Sequence, residues 1–313
     1  MANNSNRIMK KYKHLYNNYF IKPANSIIHD PFRLHLLESN IVTDIISMKK
    51  KVDVQDEFPE VYTKWIESSK LNNVRGLESF PYRHISLGVT QAIDDFLLYC
   101  LKEKLRLRIY KGEYPYINQI VNEDLIFIED EELKSGDAVL ISAPFSATGE
   151  LHPKWCETIE ICNKLGITMF VDCAFFGTCY DLSMSLDEPC IDTVAFSPTK
   201  GLNTGYFRTG LTYTKRGHRK TTFETLTKWH HGIHFHTAMA MNIMESYDAD
   251  TIPNVYRHVQ EEVCRHYGLA PSKTIHLALG DENWDYFTRD GICNRIGLRI
   301  PIRDFYDGKD LRK

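Results

Sequence analysis

No stretch of this 313-residue sequence approaches the roughly 20 consecutive apolar residues of a membrane-spanning helix, so no such span is expected. A basic excess is missing as well: 38 Lys and Arg stand against 41 Asp and Glu, a formal net charge of -3. That balance argues against a nucleic-acid binder working through a broad positive field. The eight cysteines form no CxxC pair, which disfavours dithiol redox motifs and zinc ribbons and points to buried, reduced thiols. Internal repeats and low-complexity segments are absent, which excludes solenoid arrays. Residues 1–19 carry Lys10, Lys11 and Lys13 but no apolar core, so a secretory signal is not expected and a cytoplasmic location is.

What remains is an ordinary globular composition, 43% hydrophobic and 25% charged, long enough for one large core and a smaller second unit. The first 80 or so residues are polar, helix-leaning and weakly patterned. From His84 the pattern sharpens. His84 to Leu87 reads as a strand, Gly88-Val89 as a turn, and Thr90 as the N-cap of a helix. Ile93, Phe96, Leu97, Cys100 and Leu101 would share the buried face of that helix. Apolar strands are predicted at 105–110, 138–143, 168–174, 193–196 and 210–213, with a helix opened by Pro153 and ended by Gly166. Apolar strands alternating with helices predict an α/β fold, a mainly parallel sheet covered on both faces. Past Phe235 two helical stretches lead to strands at 274–279 and 296–302, a small C-terminal α+β domain. The expected division is an N-terminal segment 1–45, a large domain 46–234 and a small domain 235–313.

In such sheets ligands bind beyond the carboxyl ends of the strands, and the chemically capable residues of this chain fall there repeatedly. Gly88, Val89, Thr90 and Gln91 sit between a strand and a helix N-terminus, where free N–H groups and the helix dipole favour a phosphate. Asp172 ends an apolar strand, and a carboxylate buried there calls for a cationic partner. Lys200 follows Ser197-Pro198-Thr199 at another strand end, where a desolvated amine becomes a nucleophile. Arg208, eight residues on, has the planar fork that grips phosphate. Tyr114 follows a strand and could stack on a flat ring. An amine, an acid and a phosphate grip are what pyridoxal 5'-phosphate (PLP) needs: a Schiff-base lysine, a partner for the pyridine nitrogen and an anchor. His230, His231, His234 and His236 cluster near Phe235, loosely spaced and without an acid or cysteine among them, so no metal site is expected. The acidic pair Asp94-Asp95 is expected on a solvated face.

The order and spacing of these motifs resemble the fold type I PLP enzymes, and within them the class I/II aminotransferase family. The resemblance covers residues 86–213 well and 271–301 loosely. Leu87-Gly88-Val89-Thr90-Gln91 is similar to the family's phosphate loop, and Tyr114 falls where the family stacks an aromatic ring. Ala143-Pro-Phe-Ser-Ala-Thr-Gly149 is similar to its Asn-Pro-x-Asn-Pro-Thr-Gly turn, Asp172 with Ala174 to its Asp-x-Ala motif, and Ser197-x-x-Lys200 with Arg208-x-Gly210 to its Schiff-base block. Asn294-Arg295-Ile296 is similar to the strand whose arginine holds the substrate α-carboxylate; Arg295 is the candidate and Arg299, two strand periods on, its rival. Two positions depart. Ser146 stands where the family has the Asn that bonds the cofactor's phenolic oxygen, and Phe175 where it has a Tyr. Phe175 has no donor to offer. The resemblance implies a PLP-transferase fold, a homodimer and an enzyme acting at Cα of an amino acid through a Lys200 Schiff base. An aminotransferase making a keto acid from an amino-acid donor, with a keto-acid acceptor, comes first. A lyase, cyclase or decarboxylase on an amino acid, or a non-catalytic PLP-binding protein, are the alternatives.

Overall fold

The structure is a computed structural model and describes residues 54–121, 125–202, 204–217, 223 and 233–309. The expected segment 1–45, His230 and His231 lie outside the described residues.

In chain order the elements begin with α1 (Val54–Glu67), β1 (Asn73–Arg75), β2 (Tyr82–Ser86), α2 (Val89–Glu103), β3 (Arg106–Ile109) and α3 (Pro115–Val121). Next come β4 (Ile126–Phe127), β5 (Asp137–Ser142), α4 (Trp155–Leu165), β6 (Thr168–Cys173), β7 (Ser183–Ser185), β8 (Ile191–Phe196), the single turn α5 (Thr199–Leu202) and β9 (Gly210–Thr214). The chain ends with α6 (His234–Ser246), α7 (Thr251–Tyr267), β10 (Ala270–Pro271), β11 (Leu277–Gly280), β12 (Thr288–Arg289), β13 (Cys293–Gly297) and α8 (Arg299–Tyr306).

Seven strands form the main sheet in the order β2-β9-β8-β6-β5-β3-β4. The pairs from β8 to β4 are parallel, and β9 runs antiparallel to both β8 and β2. The central strands β5, β6 and β8 are buried at every residue, and apolar side chains fill most of their positions, as a sheet covered on both faces requires. Their alternation serves two cores. Ala138 and Leu140 point to the core that holds Ile93 and Phe96 of α2, whereas Val139 and Ile141 point to the core that holds Trp155 and Ile159 of α4. Burying a side chain the size of Phe96 contributes about 1.5–3 kcal/mol. Next to the edge strand β4 an ion pair joins two strands: Arg108, wholly buried on β3, meets Asp137 of β5 at 2.7 Å.

The weakly patterned stretch before His84 contains α1, which buries Phe58, Tyr62, Trp65 and Ile66 and packs on α6. A second sheet, β10-β11-β13-β12, is antiparallel throughout.

Three expectations need correction. Helix α2 begins at Val89 with Gly88 as its N-cap, so Thr90 lies inside the first turn. The left-handed φ of 99° at Gly88 makes this turn, and glycine reaches it without a Cβ penalty. Asp95 is buried, not solvated, because it shares the inward face of α2 with Phe96. The strand expected at 296–302 ends at Gly297, and residues from Arg299 are helical. Pro301 accounts for the change: it cannot donate to a strand ladder but is tolerated in a first helical turn, where N–H groups lack partners anyway. Among the described residues no helix is long and apolar enough to cross a membrane. Seven of the eight cysteines are buried or half-buried, Cys156 is exposed, and all are free thiols.

Candidate active site

The strand ends converge on one edge of the main sheet. Strands β5, β6 and β8 are parallel and close with Ser142, Asp172-Cys173 and Phe196 on that edge. Strand β9 runs the other way, so it presents its beginning there, and Gly210 pairs with Ser86 at the end of β2. Arg208, just before β9, is therefore brought to the Gly88 turn from 120 positions along the chain. This reversal explains why an arginine preceding a strand joins residues that follow strands.

A pocket of about 590 Å³ opens at this edge. Of the expected site residues, Val89, Thr90, Tyr114, Ser146, Asp172, Ala174, Ser197, Lys200, Arg208 and Arg295 all line it. Gly88 does not itself line it but packs against two residues that do: a Cβ there would lie 3.0 Å from Arg208 Nη2 and 3.4 Å from Ser197 Oγ. Gln91 does not line it. Its Oε1 instead accepts from Leu87 N–H at 2.7 Å and pins the turn.

At one end the donors gather. Arg208 donates through Nε to the Leu87 carbonyl at 3.0 Å and through Nη2 to Thr90 Oγ1 at 3.4 Å. Ser197 Oγ lies 2.9 Å from Thr199 Oγ1. Val89 and Thr90, the first residues of α2, line the pocket at this end, and a helix N-terminus with its free N–H groups favours an anion. Gly210 makes this closeness possible, since a Cβ there would come within 2.5 Å of the Phe196 carbonyl.

Lys200 and Asp172 hold the middle. Asp172 Oδ1 accepts from Ala174 N–H at 2.7 Å. Burial raises its pKa, and the Lys200 charge opposes that rise. Lys200 Nζ sits 3.9 Å above the Phe175 ring. Burial lowers its pKa to about 8; Asp172 pulls it up, while Arg295 and Arg208 push it further down. A lysine so placed is partly neutral near physiological pH, the state in which an amine is nucleophilic.

Tyr114 is exposed and stacks on Tyr116 with centroids 5.8 Å apart. Ser146 is buried, and its backbone N–H donates to Ser142 Oγ at 2.8 Å. Arg295 and Arg299 both line the pocket, although not as two periods of one strand: Arg295 projects from β13 and Arg299 from the opening of α8. Burial lowers the Arg295 pKa to about 10, helped by the neighbouring Arg289. His236 reaches this region through a contact of its Nδ1 with the Arg208 carbonyl at 3.0 Å.

Three polar residues went unread in the sequence. Glu113 is buried beside the pocket, its carboxylate accepting from Ser142 N–H and Oγ–H, each at 2.6 Å. Burial raises its pKa to about 7, and Asp172 adds to that. Its position just past β3, on the same sheet edge, was the available signal. His276, in the turn that leads into β11, and Arg289, on β12, line the pocket too. Their segments follow no strand of the main sheet, so the strand-end rule could not find them.

No family model and no curated protein sequence matches the chain. Solved structures do. A PLP-bound C-S lyase from Staphylococcus hominis, complexed with L-cycloserine, superposes with a TM-score of 0.65 at 11% identity, covering 93% of this chain and 87% of that one. An aspartate aminotransferase double mutant from Thermus thermophilus gives 0.62 at 10% identity over 97% and 94%. Histidinol-phosphate aminotransferase from Sinorhizobium meliloti, in complex with pyridoxal-5'-phosphate, gives 0.58 at 15% identity over 91% and 88%. Likeness over nearly the whole of each chain at so little identity speaks for architecture, and on it this chain has the α/β fold of the fold type I PLP-dependent enzymes.

Proposed function

We propose that this chain is a PLP-dependent enzyme acting at Cα of an amino acid, and that it is an aminotransferase. The observation that carries the reading is the placement of one depressed lysine, one buried acid and one arginine-lined anion seat in a single pocket. The donor set fits the cofactor. Arg208, Thr90, Ser197 and the first-turn N–H groups at Gly88 would hold its phosphate, and the space a Cβ at Gly88 would fill leaves the backbone open to it. Asp172 would accept from the pyridine N–H; a cation there would reverse the rise that burial imposes on its carboxyl. Tyr114 would cover the ring, and Ser146 is the donor available to its phenolic oxygen. The division into a large part, 46–234, and a small part, 235–313, and assembly as a homodimer belong to the same reading.

When bound, PLP supplies an aldehyde that condenses with amines and a protonated ring that accepts the electron pair released at Cα. Arg295 grips the substrate α-carboxylate and so orients the Cα–H bond. Lys200 serves first as the attachment amine. Freed by substrate, its Nζ removes the Cα proton as a general base, which a pKa near 8 suits.

Elimination is the second reading, favoured by Phe175. At the two positions where the family has donors to the phenolic oxygen, Ser146 could donate and Phe175 could not, so the residues here would tune the cofactor differently. Product analysis separates the two. A keto acid formed only when a keto-acid acceptor is present identifies transamination. Ammonia released without an acceptor identifies elimination and overturns the aminotransferase assignment.

A further inference from the structure

The wall contributed by the small sheet carries more positive charge than an α-carboxylate requires. Arg289 ends β12 and Arg295 lies in β13, and both line the pocket. Arg289 donates to the carbonyls of Glu113, at 2.6 Å, and Gly112, at 3.4 Å. These neutral acceptors fix the guanidinium, and the nearby Asp290 and Glu113 carboxylates favour its charged form without forming an ion pair with it. Among the described residues no carboxylate forms an ion pair with Arg289 or Arg295. Asp290, next to Arg289, is engaged with Gly112 N–H at 2.9 Å. Each of the two arginines is disfavoured by burial, and Arg295 also by Arg289 itself.

His276 supplies an independent observation on the same wall. Its side chain is buried, it lines the pocket, and neither ring nitrogen has a hydrogen-bond partner. Burial and the surrounding cations Lys200, Arg299 and Arg295 keep it neutral. A neutral imidazole offers one donor and one acceptor. Buried polar groups without partners cost stability, and such groups in a cleft mark the place of a ligand. Two arginines and an unbonded imidazole together are a seat for negative charge beyond the single carboxylate at Cα.

We infer that the amino-acid substrate carries a second anionic group, a carboxylate or a phosphate on its side chain, held at Arg289 while Arg295 takes the α-carboxylate. This rests on the PLP reading above. The test is calorimetric titration of the PLP-loaded protein with L-aspartate, L-glutamate and O-phospho-L-serine, each beside its neutral counterpart L-asparagine, L-glutamine or L-serine. At least one anionic member binds tenfold or more tightly than its neutral counterpart, and the pair showing the larger ratio tells carboxylate from phosphate. Arg289→Gln removes most of that ratio. Neutral members that bind as tightly as their anionic counterparts overturn the inference, as does an Arg289→Gln protein that keeps the full ratio. If that variant fails to load PLP, the wild-type ratios alone decide. A wild-type protein that shows no absorption band with PLP sinks the cofactor reading, and this inference falls with it; a band without an anionic preference sinks this inference alone.

Discussion

The two walls of the pocket are built on opposite electrostatic plans. The main-sheet wall is balanced: Asp172 faces Lys200, and the two adjust each other's protonation. The small-sheet wall is one-sided, with Arg289, Arg295 and Arg299 and the neutral His276. A balanced wall suits a group that stays in place with its own fixed charges. A one-sided wall suits a group that arrives with negative charge and leaves again. On this account residence and turnover are divided between the two sheets, and substitutions on each wall should fail differently.

The largest effect is expected at Lys200. Lys200→Ala removes both attachment and the base, and turnover of an amino-acid substrate falls on the order of 10⁴-fold, measured with PLP in excess. Next comes Arg295→Gln on the opposite wall. Losing a charge-assisted contact of about 1.5–3 kcal/mol raises KM for the amino acid roughly ten- to hundredfold. The absorption of the loaded protein, a property of the first wall, stays in place. If that band disappears instead, the two walls are not separable in the way described.

The pH dependence sharpens the contrast further. Lys200 must be neutral to attack an aldehyde, and its pKa is lowered to about 8 from 10.5. The rate of PLP uptake by the apoprotein therefore rises with pH and levels off above about 8. Stopped-flow absorbance reads this directly, and a rate still climbing toward pH 10 contradicts the depressed lysine. The smallest change is Gly88→Ala. A Cβ there meets Arg208 Nη2 at 3.0 Å from a left-handed backbone, and the strain of roughly 1–2 kcal/mol loosens PLP retention about tenfold on dialysis.

The same contrast governs how much was legible beforehand. Asp172, Lys200 and Arg208 stand at the ends of apolar strands, where period and turn signals locate a sheet edge from local sequence. The small-sheet wall has short strands and mixed polarity, so period carries little. Arg299 shows the consequence. Alternation placed it on the same strand face as Arg295, whereas Pro301 turns that segment into the start of α8. Arg299 nevertheless lines the pocket, by a different geometry from the one expected. Glu113, His276 and Arg289 depend on tertiary placement alone. The helical leaning of the N-terminal stretch was legible and α1 bears it out, but its bounds and buried face were not: its polar residues mask an inward face of Phe58, Tyr62 and Trp65 that emerges only against α6.

The central claim is that Lys200 carries PLP in this pocket, and the near-visible absorption spectrum tests it most directly. Wild-type protein and Lys200→Ala are mixed with PLP and dialysed. The account predicts a band that survives dialysis in the wild type and is missing from the variant. A band that survives in both, or in neither, contradicts it.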